Sequence, residues 1–365
     1  MRVGSGRPPR PEPRGEAFVA ATATAVPEHV VTREEVKTYF GRVFPVTGPR
    51  LDAMMEIVDH SEIRRRFCIL PVEELIRPRS LETLSAEYRA HAIRLGRRVA
   101  EDALARALLE PRDIDLIVTV SCTGFMIPSL DAHLVNAMGF RSNVRRLPIT
   151  ELGCAAGASA VAKAWEFLRA FPGGHVLVVA VELPSLTFQR GNLNQANLIS
   201  TILFGDGAGA AVLSGRSDGT GPAILDAESY LFPDSIDAMG FDLKDTGFHI
   251  VLSRDVPELI RGRIRELTGC FLSRSGLAVG DVEAFVLHPG GRKLLQGIED
   301  ELGLTNGGTG PSWDVLREYG NLSSASVLFV LHEWLTKRRV SPGGFGLLAA
   351  FGPGFTAEQV LLRWS

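Results

Sequence analysis

Apolar runs of β type alternate with helically spaced segments along most of the chain. Residues 17–26 (A-F-V-A-A-T-A-T-A-V) read as a first strand, ended by Pro27. Residues 84–108 carry apolar positions at helical spacing and predict a long amphipathic helix. It leads into a buried strand at 113–121 (D-I-D-L-I-V-T-V-S), and a further helix follows Pro128. Residues 154–168 are again helical, H-V-L-V-V-A-V-E (175–182) is a strongly buried strand, and 203–214 reads as a strand punctuated by glycine. The alternation predicts an α/β protein with largely buried sheets.

The second half repeats part of this order. A helix at 256–275 precedes D-V-E-A-F-V-L-H (281–288), followed by a helix at about 292–303 and a turn at 319–326 that opens another helix. The D-I-D and D-V-E starts lie 168 residues apart. Cys154 and Asn321, each preceded by Gly and followed by small residues and a helix, lie 167 apart. A duplication would relate the halves by a pseudo-twofold axis and bring the two helix-opening turns together. The expected division is a tail at 1–16, a first half at 17–215 and a second at 216–365, with the joint near Gly215–Gly221.

Composition narrows the function classes. The 365 residues are 45% hydrophobic and 22% charged, with a net charge of −3. That balance gives no global pull toward nucleic acid or anionic membrane, so an anionic ligand needs a local basic cluster. Cys68, Cys122, Cys154 and Cys270 lack C-x-x-C spacing and nearby paired histidines, which signals neither a metal site nor a disulfide framework. The expected location is a reducing cytoplasm. The first sixteen residues, rich in Pro, Gly and Arg, read as a disordered tail and not as a signal peptide. No run of about 18 apolar residues predicts a membrane span.

Three residues carry the candidate chemistry. Cys154 begins a helical segment, where the helix dipole favours thiolate, and Gly153, Ala155, Ala156 and Gly157 leave room for a substrate. His288 ends a buried strand ahead of P-G-G, a common place for a catalytic side chain in α/β folds. Asn321 stands in the rhyming turn. Cys, His and Asn together serve two reaction classes. In papain-like hydrolysis Asn orients His. In decarboxylative condensation His and Asn donate hydrogen bonds to a thioester oxygen, while Cys holds the acyl chain. A cysteine placed mid-chain, with His and Asn from the other half, favours the second class.

The strings L-G-C-A-A-G, L-F-G-D-G-A, T-G-F-H-I-V-L-S-R-D-V-P, H-P-G-G, E-Y-G-N-L-S-S-A-S-V-L-F-V-L and F-G-P-G-F-T-A-E resemble the type III polyketide synthases, the chalcone synthase family. The resemblance runs from about Ala17 to Trp364, and S-C-T-G-F-M-I-P-S-L (121–130) is closer to the bacterial branch. It implies a thiolase-type five-layer αβαβα fold and a homodimer using acyl-CoA and malonyl-CoA with no further cofactor. It also implies a Cys154–His288–Asn321 triad with Phe204 and Phe248 as gatekeepers. Cys122, Thr123, Ile127, Pro184, Thr187 and Ser323 are implied as cavity or substrate-binding positions, with Ile127 crossing toward the partner. Arg64 in I-R-R-R-F, Arg292 and Lys293 are implied as coenzyme A contacts, the guanidinium fork suiting phosphate. Ala350 stands where the family often has Gly, so a positive φ there would be disfavoured. The cavity changes at Cys122, Thr123 and Pro184 argue against phenylpropanoid starters. Expected products are alkylpyrones or alkylresorcinols, with a malonyl-derived aromatic such as tetrahydroxynaphthalene second. The alternatives are a ketoacyl-ACP synthase making one condensation and a catalytically silent dimer partner.

Overall fold

A computed structural model describes residues 16–217, 221–305, 307–338 and 340–365. The expected tail thus falls, except for Glu16, outside the described residues, as does the middle of the expected joint.

Nine strands form one sheet in the spatial order Val282–Leu287, Phe345–Gly352, Thr356–Arg363, Ala223–Leu231, Phe18–Ala25, Gly207–Ser214, His175–Glu182, Leu116–Val120 and Arg145–Ile149. The order contains the same motif twice. Phe18–Ala25 pairs antiparallel with Gly207–Ser214, which pairs antiparallel with His175–Glu182, which runs parallel to Leu116–Val120. Likewise Ala223–Leu231 pairs antiparallel with Thr356–Arg363, that strand with Phe345–Gly352, and the last runs parallel to Val282–Leu287. The two copies meet through a single pair, Phe18 and Ala223. The twofold rhyme of the sequence is therefore a repeat of sheet topology, and the fold is the thiolase-type α/β architecture.

The central strands Leu116–Val120 and Gly207–Ser214 are buried at every position, which is why they read as unbroken apolar or small-residue runs. Two helices, Ala156–Ala170 and Ser326–Lys337, pack in the largest core cluster between the two repeats. Gly157 permits their close approach: a Cβ there would stand 2.2 Å from the Ser324 carbonyl oxygen. Helices Leu81–Arg106 and Val256–Ser273 belong to separate clusters that cover the outer faces. A fourth cluster joins the helices Arg33–Val43 and Pro49–His60 to Leu198 and Ile202.

Several boundaries differ from the sequence expectations. The strand expected at 113–121 is a 3-10 turn, Pro111–Asp113, followed by the strand Leu116–Val120. The run expected as a strand at 203–214 divides: Leu203 ends a helix, Gln195–Leu203, capped by the Asn194 side chain, and the strand begins at Gly207. Gly205 and Asp206 make the turn between them, and both are held by backbone bonds to other segments. Ala350 lies within the strand Phe345–Gly352 and has no positive φ, so alanine costs nothing there.

The repeat register also needs correction. The 3-10 turns that open the two central helices are Gly153–Ala155 and Ser323–Ala325, 170 residues apart. The structural counterpart of Cys154 is Ser324, and Asn321 stands two residues ahead of the matching turn. The added residues lie between strand and helix, where a loop changes length without disturbing either element.

Candidate active site

The Cys154 turn is built from both repeats. Gly153 has φ 49, and a Cβ there would strike Pro353 at 2.5 Å. The F-G-P-G segment (351–354) thus packs on the cysteine turn and demands glycine. Ser323, at φ 51, places its hydroxyl 3.5 Å from the Cys154 sulfur and 3.3 Å from that of Cys122.

Cys154 is 9% exposed, and burial pushes its thiol up to about 12, against a smaller lowering by the Ser323 hydrogen bond. Burial thus works against the thiolate that the helix-opening position favours. The residue sits in the 3-10 turn that opens the helix, where its own backbone N–H also lowers the thiol pKa, and desolvation outweighs these lowering contacts. Burial favours the thiol over the thiolate here.

His288 follows the strand Val282–Leu287, and its N–H donates to the Ala349 carbonyl at 2.9 Å. The ring is 3% exposed, with Nδ1 buried and unpartnered. Burial lowers its pKa to about 4, so the imidazole is neutral at physiological pH. Gly290 N–H donates to the His288 carbonyl at 3.0 Å, and its own carbonyl accepts Asn321 Nδ2 at 3.3 Å. Asn321 Oδ1 in turn accepts the Ser323 N–H at 2.8 Å. A continuous line of contacts therefore runs from the Cys154 sulfur through Ser323, Asn321 and Gly290 to the His288 backbone.

Phe204 is tied to the same line. It forms an isolated parallel bridge with Asn321, whose N–H donates to the Leu203 carbonyl at 2.9 Å and whose carbonyl accepts the Gly205 N–H at 3.1 Å. A cavity of about 130 Å³ is lined by Cys154, Ser323, Cys122, Thr123, Pro184 and Phe204, with Thr187 on its wall as well. Its lining does not include His288, Asn321 or Phe248. Phe248 lies in the hairpin strand Gly247–Leu252, packed edge-on against the lining residue Phe241 with ring centroids 5.7 Å apart.

The remaining sequence candidates lie outside the cavity. Ile127 is 82% exposed. Arg64 has a side chain 68% exposed that pairs with Glu318 at 3.4 Å, and Arg65 meets the same carboxylate at 3.0 Å. Arg292 begins the helix Arg292–Leu302 and donates to the His60 carbonyl at 3.3 Å, with Lys293 beside it. Arg66, third in the basic run, is buried and donates to the Ile202 carbonyl. Among the described residues, no group of three or more His, Cys, Asp and Glu is placed to hold a metal, and no helix is long and apolar enough to cross a membrane.

Sequence reasoning missed Glu182. This fully buried carboxylate ends the strand His175–Glu182 and accepts the Cys122 N–H at 3.1 Å and the Thr123 hydroxyl at 2.8 Å. The Ser324 hydroxyl also donates to it. Burial raises its pKa, while these donors oppose the rise. The available signal was a charged residue closing an otherwise apolar strand. Asp206 is similar: burial raises it to about 6, and it accepts the Ile69 and Ser185 N–H groups at 2.8 and 2.9 Å.

Residues 9–217 match the chalcone and stilbene synthase N-terminal domain, and residues 223–364 match the C-terminal domain. The chain is 38% identical to 1,3,6,8-tetrahydroxynaphthalene synthase from Streptomyces coelicolor, over 95% of this chain and 92% of that protein. It is 34% identical to phloroglucinol synthase from Pseudomonas fluorescens, over 93% and 97% respectively. The crystal structure of the Streptomyces coelicolor tetrahydroxynaphthalene synthase, a bacterial type III polyketide synthase, superposes with a TM-score of 0.92 at 36% identity, covering 95% of this chain and 99% of that one. PKS-I from the brown alga Ectocarpus siliculosus superposes with a TM-score of 0.87 at 28% identity, covering 98% and 100%. A buried thiol, a neutral imidazole and an asparagine amide joined across a duplicated α/β frame thus occur in a chain that belongs to the chalcone and stilbene synthase family, as a polyketide-forming acyltransferase of type III.

Proposed function

We propose that Cys154 is the residue that carries the growing acyl chain, with His288 and Asn321 acting on the thioester oxygen. The neutral imidazole of His288 takes the Cys154 proton as sulfur attacks the carbonyl of an acyl-CoA. The C–S bond to coenzyme A breaks, and the leaving thiolate recovers the proton. Malonyl-CoA then loses CO₂, and the enolate oxygen accepts hydrogen bonds from His288 and the Asn321 amide. The enolate carbon attacks the Cys154 thioester, expelling the sulfur and leaving the lengthened chain on coenzyme A. Further cycles and ring closure give the product. Enzymes of this family need no cofactor beyond their coenzyme A thioester substrates.

The observation that carries this reading is the contact line from Cys154 through Ser323, Asn321 and Gly290 to the His288 backbone. In it, Phe204 and Phe248 gate the passage between coenzyme A and cavity, and Arg64, Arg292 and Lys293 hold the phosphates. Cys122, Thr123, Pro184 and Thr187 shape the cavity. The protein acts as a cytoplasmic homodimer in which the exposed Ile127 and Phe125 meet a second copy, and its halves are 17–215 and 216–365. Cys154→Ala is expected to abolish polyketide formation from malonyl-CoA; undiminished product would refute the assignment. Activity with malonyl-CoA and no carrier protein excludes the ketoacyl-ACP synthase alternative. Failure of any acyl-CoA to leave an adduct on Cys154 would favour the silent-partner alternative.

A second reading concerns the primer. The relatives named tetrahydroxynaphthalene synthase support malonyl-CoA as both starter and extender. The first reading takes an alkyl starter and gives an alkylpyrone or alkylresorcinol. A panel of starter thioesters with malonyl-CoA, read by product mass, separates them.

A further inference from the structure

The hairpin that carries Phe248 stands apart from the nine-stranded sheet. Among the described residues its strands, Met239–Lys244 and Gly247–Leu252, pair only with each other. A lone two-stranded ribbon is marginal by itself, so its position must be fixed from outside. Met239, Gly240, Phe241 and Ile250 line the cavity at Cys154, which makes this ribbon one of its walls. Among the described residues, the hydrogen bonds that tie the ribbon to other segments come from Gln189 and Asn192. Asn192 Nδ2 reaches Nδ1 of His249 at 3.4 Å. Gln189 Nε2 donates to the Thr246 carbonyl at 3.1 Å and to the Phe248 carbonyl at 3.2 Å. Both hydrogens of one amide are thus engaged by the carbonyls on either side of Gly247. Gly247 has φ 109, and a Cβ there would stand 3.5 Å from Gln189 Nε2. The amide lies directly against the backbone that leads into Phe248.

The main chain of Gln189 faces the other gatekeeper. Its carbonyl accepts Asn197 Nδ2 at 2.8 Å and the Asn192 N–H at 3.1 Å. Asn197 is buried in the helix Gln195–Leu203, and the residue that caps that helix at its C-terminal end is Phe204. Gln189 therefore joins the strand of Phe248 through its side chain and the helix of Phe204 through its backbone. The path between the two rings runs through one amide, one asparagine and a nine-residue helix. Such a helix keeps its length, because every turn is closed by its own hydrogen bonds. Gln189 is 7% exposed, so its amide hydrogens would lose their partners without regaining water if the strand swung away.

We propose that Gln189 is a positioning residue that latches the Phe248 strand at a fixed separation from Phe204. It thereby sets the width of the passage by which a coenzyme A thioester reaches Cys154. The inference rests on the reading of the two phenylalanines as gatekeepers, and it adds what holds them in register.

The test uses two variants of the full chain. Gln189→Met keeps the length of the side chain and removes both donors, and Gln189→Ala removes the side chain. Hydrogen exchange across residues 247–252 is expected to quicken at least tenfold in both, with residues 207–214 unchanged. KM for malonyl-CoA should rise fivefold or more while kcat stays within twofold. Iodoacetamide, too small to need a shaped passage, should label Cys154 at the native rate. Phe248→Ala should also raise KM, and adding Gln189→Met to it should bring no further rise. Native exchange at 247–252, or a native KM, in both Gln189 variants overturns the proposal. Slower labelling of Cys154 with faster exchange along the whole chain also overturns it, since Gln189 would then serve the fold at large. Additive effects in the double variant remove the latch and leave the gatekeepers standing. A native KM in Phe248→Ala removes the gatekeeper reading, and this proposal with it.

Discussion

Gly153 and Ser323 share one backbone conformation, φ 49 and φ 51, at the first position of the two 3-10 turns that open the central helices. Glycine adopts it freely, whereas serine is held there at a cost of about 1 kcal/mol. The surrounding structure enforces this conformation on Ser323, and its hydroxyl reaches both the Cys154 and Cys122 sulfurs.

Ser323→Gly should therefore separate stability from reactivity. Relief of the left-handed strain is expected to raise the unfolding free energy by up to about 1 kcal/mol. Loss of the hydroxyl removes the one side-chain hydrogen bond that lowers the Cys154 pKa, so alkylation of Cys154 at fixed pH should slow several-fold. Urea unfolding and timed iodoacetamide labelling, read by intact mass, check the two effects.

Glu182 is buried among donors from Cys122, Thr123 and Ser324. Glu182→Ala leaves those groups without an acceptor and is expected to cost about 3–5 kcal/mol. Glu182→Gln keeps the volume and one acceptor and should cost clearly less. Denaturant midpoints for the two variants, with the slope checked for constancy, measure the difference.

The close approach of the two repeats rests on Gly157. In Gly157→Ala the new methyl meets the Ser324 carbonyl oxygen at 2.2 Å and Val327 at 2.8 Å. A backbone neighbour has nowhere to move, so a loss of about 2–3 kcal/mol is expected. The same displacement shifts the Ser323 turn, and the rate of acyl loading on Cys154 should fall together with the unfolding midpoint.

The buried imidazole makes stability depend on pH. His288 titrates near 4 in the folded protein, against an ordinary value of 6.5. Between these values the unfolded chain binds a proton that the folded one refuses. Its contribution is thus complete above pH 6.5 and declines as pH falls toward 4. From pH 7 to pH 5 the loss attributable to this residue is about 2 kcal/mol. His288→Gln should flatten that part of the stability profile relative to the native protein.

The helix-strand order and the repeat were legible in the sequence because the central strands are buried on both faces and the repeats keep their glycine turns. The register error at Asn321 shows the limit: a few residues added between strand and helix shift the numbering without changing the pattern. The effect of burial on Cys154 was hidden for a different reason. Helix position is visible in sequence, whereas desolvation depends on what the other repeat lays over the sulfur. Glu182, Arg66 and Asp206 went unread because their partners come from distant segments.

The backbone bridge between Phe204 and Asn321 restricts how anything passes this point. A hinge motion that swung Phe204 aside would drag Asn321 with it and break the bonds to Leu203 and Gly205. If Phe204 gates the passage as proposed, opening must therefore come from rotation of the phenyl ring about its own side-chain torsions, which the ladder leaves free. With the roles proposed for Phe204 and Asn321, admission and polarisation would be geared through one fixed axle: the ring can turn in nanoseconds while the amide beside it keeps its aim.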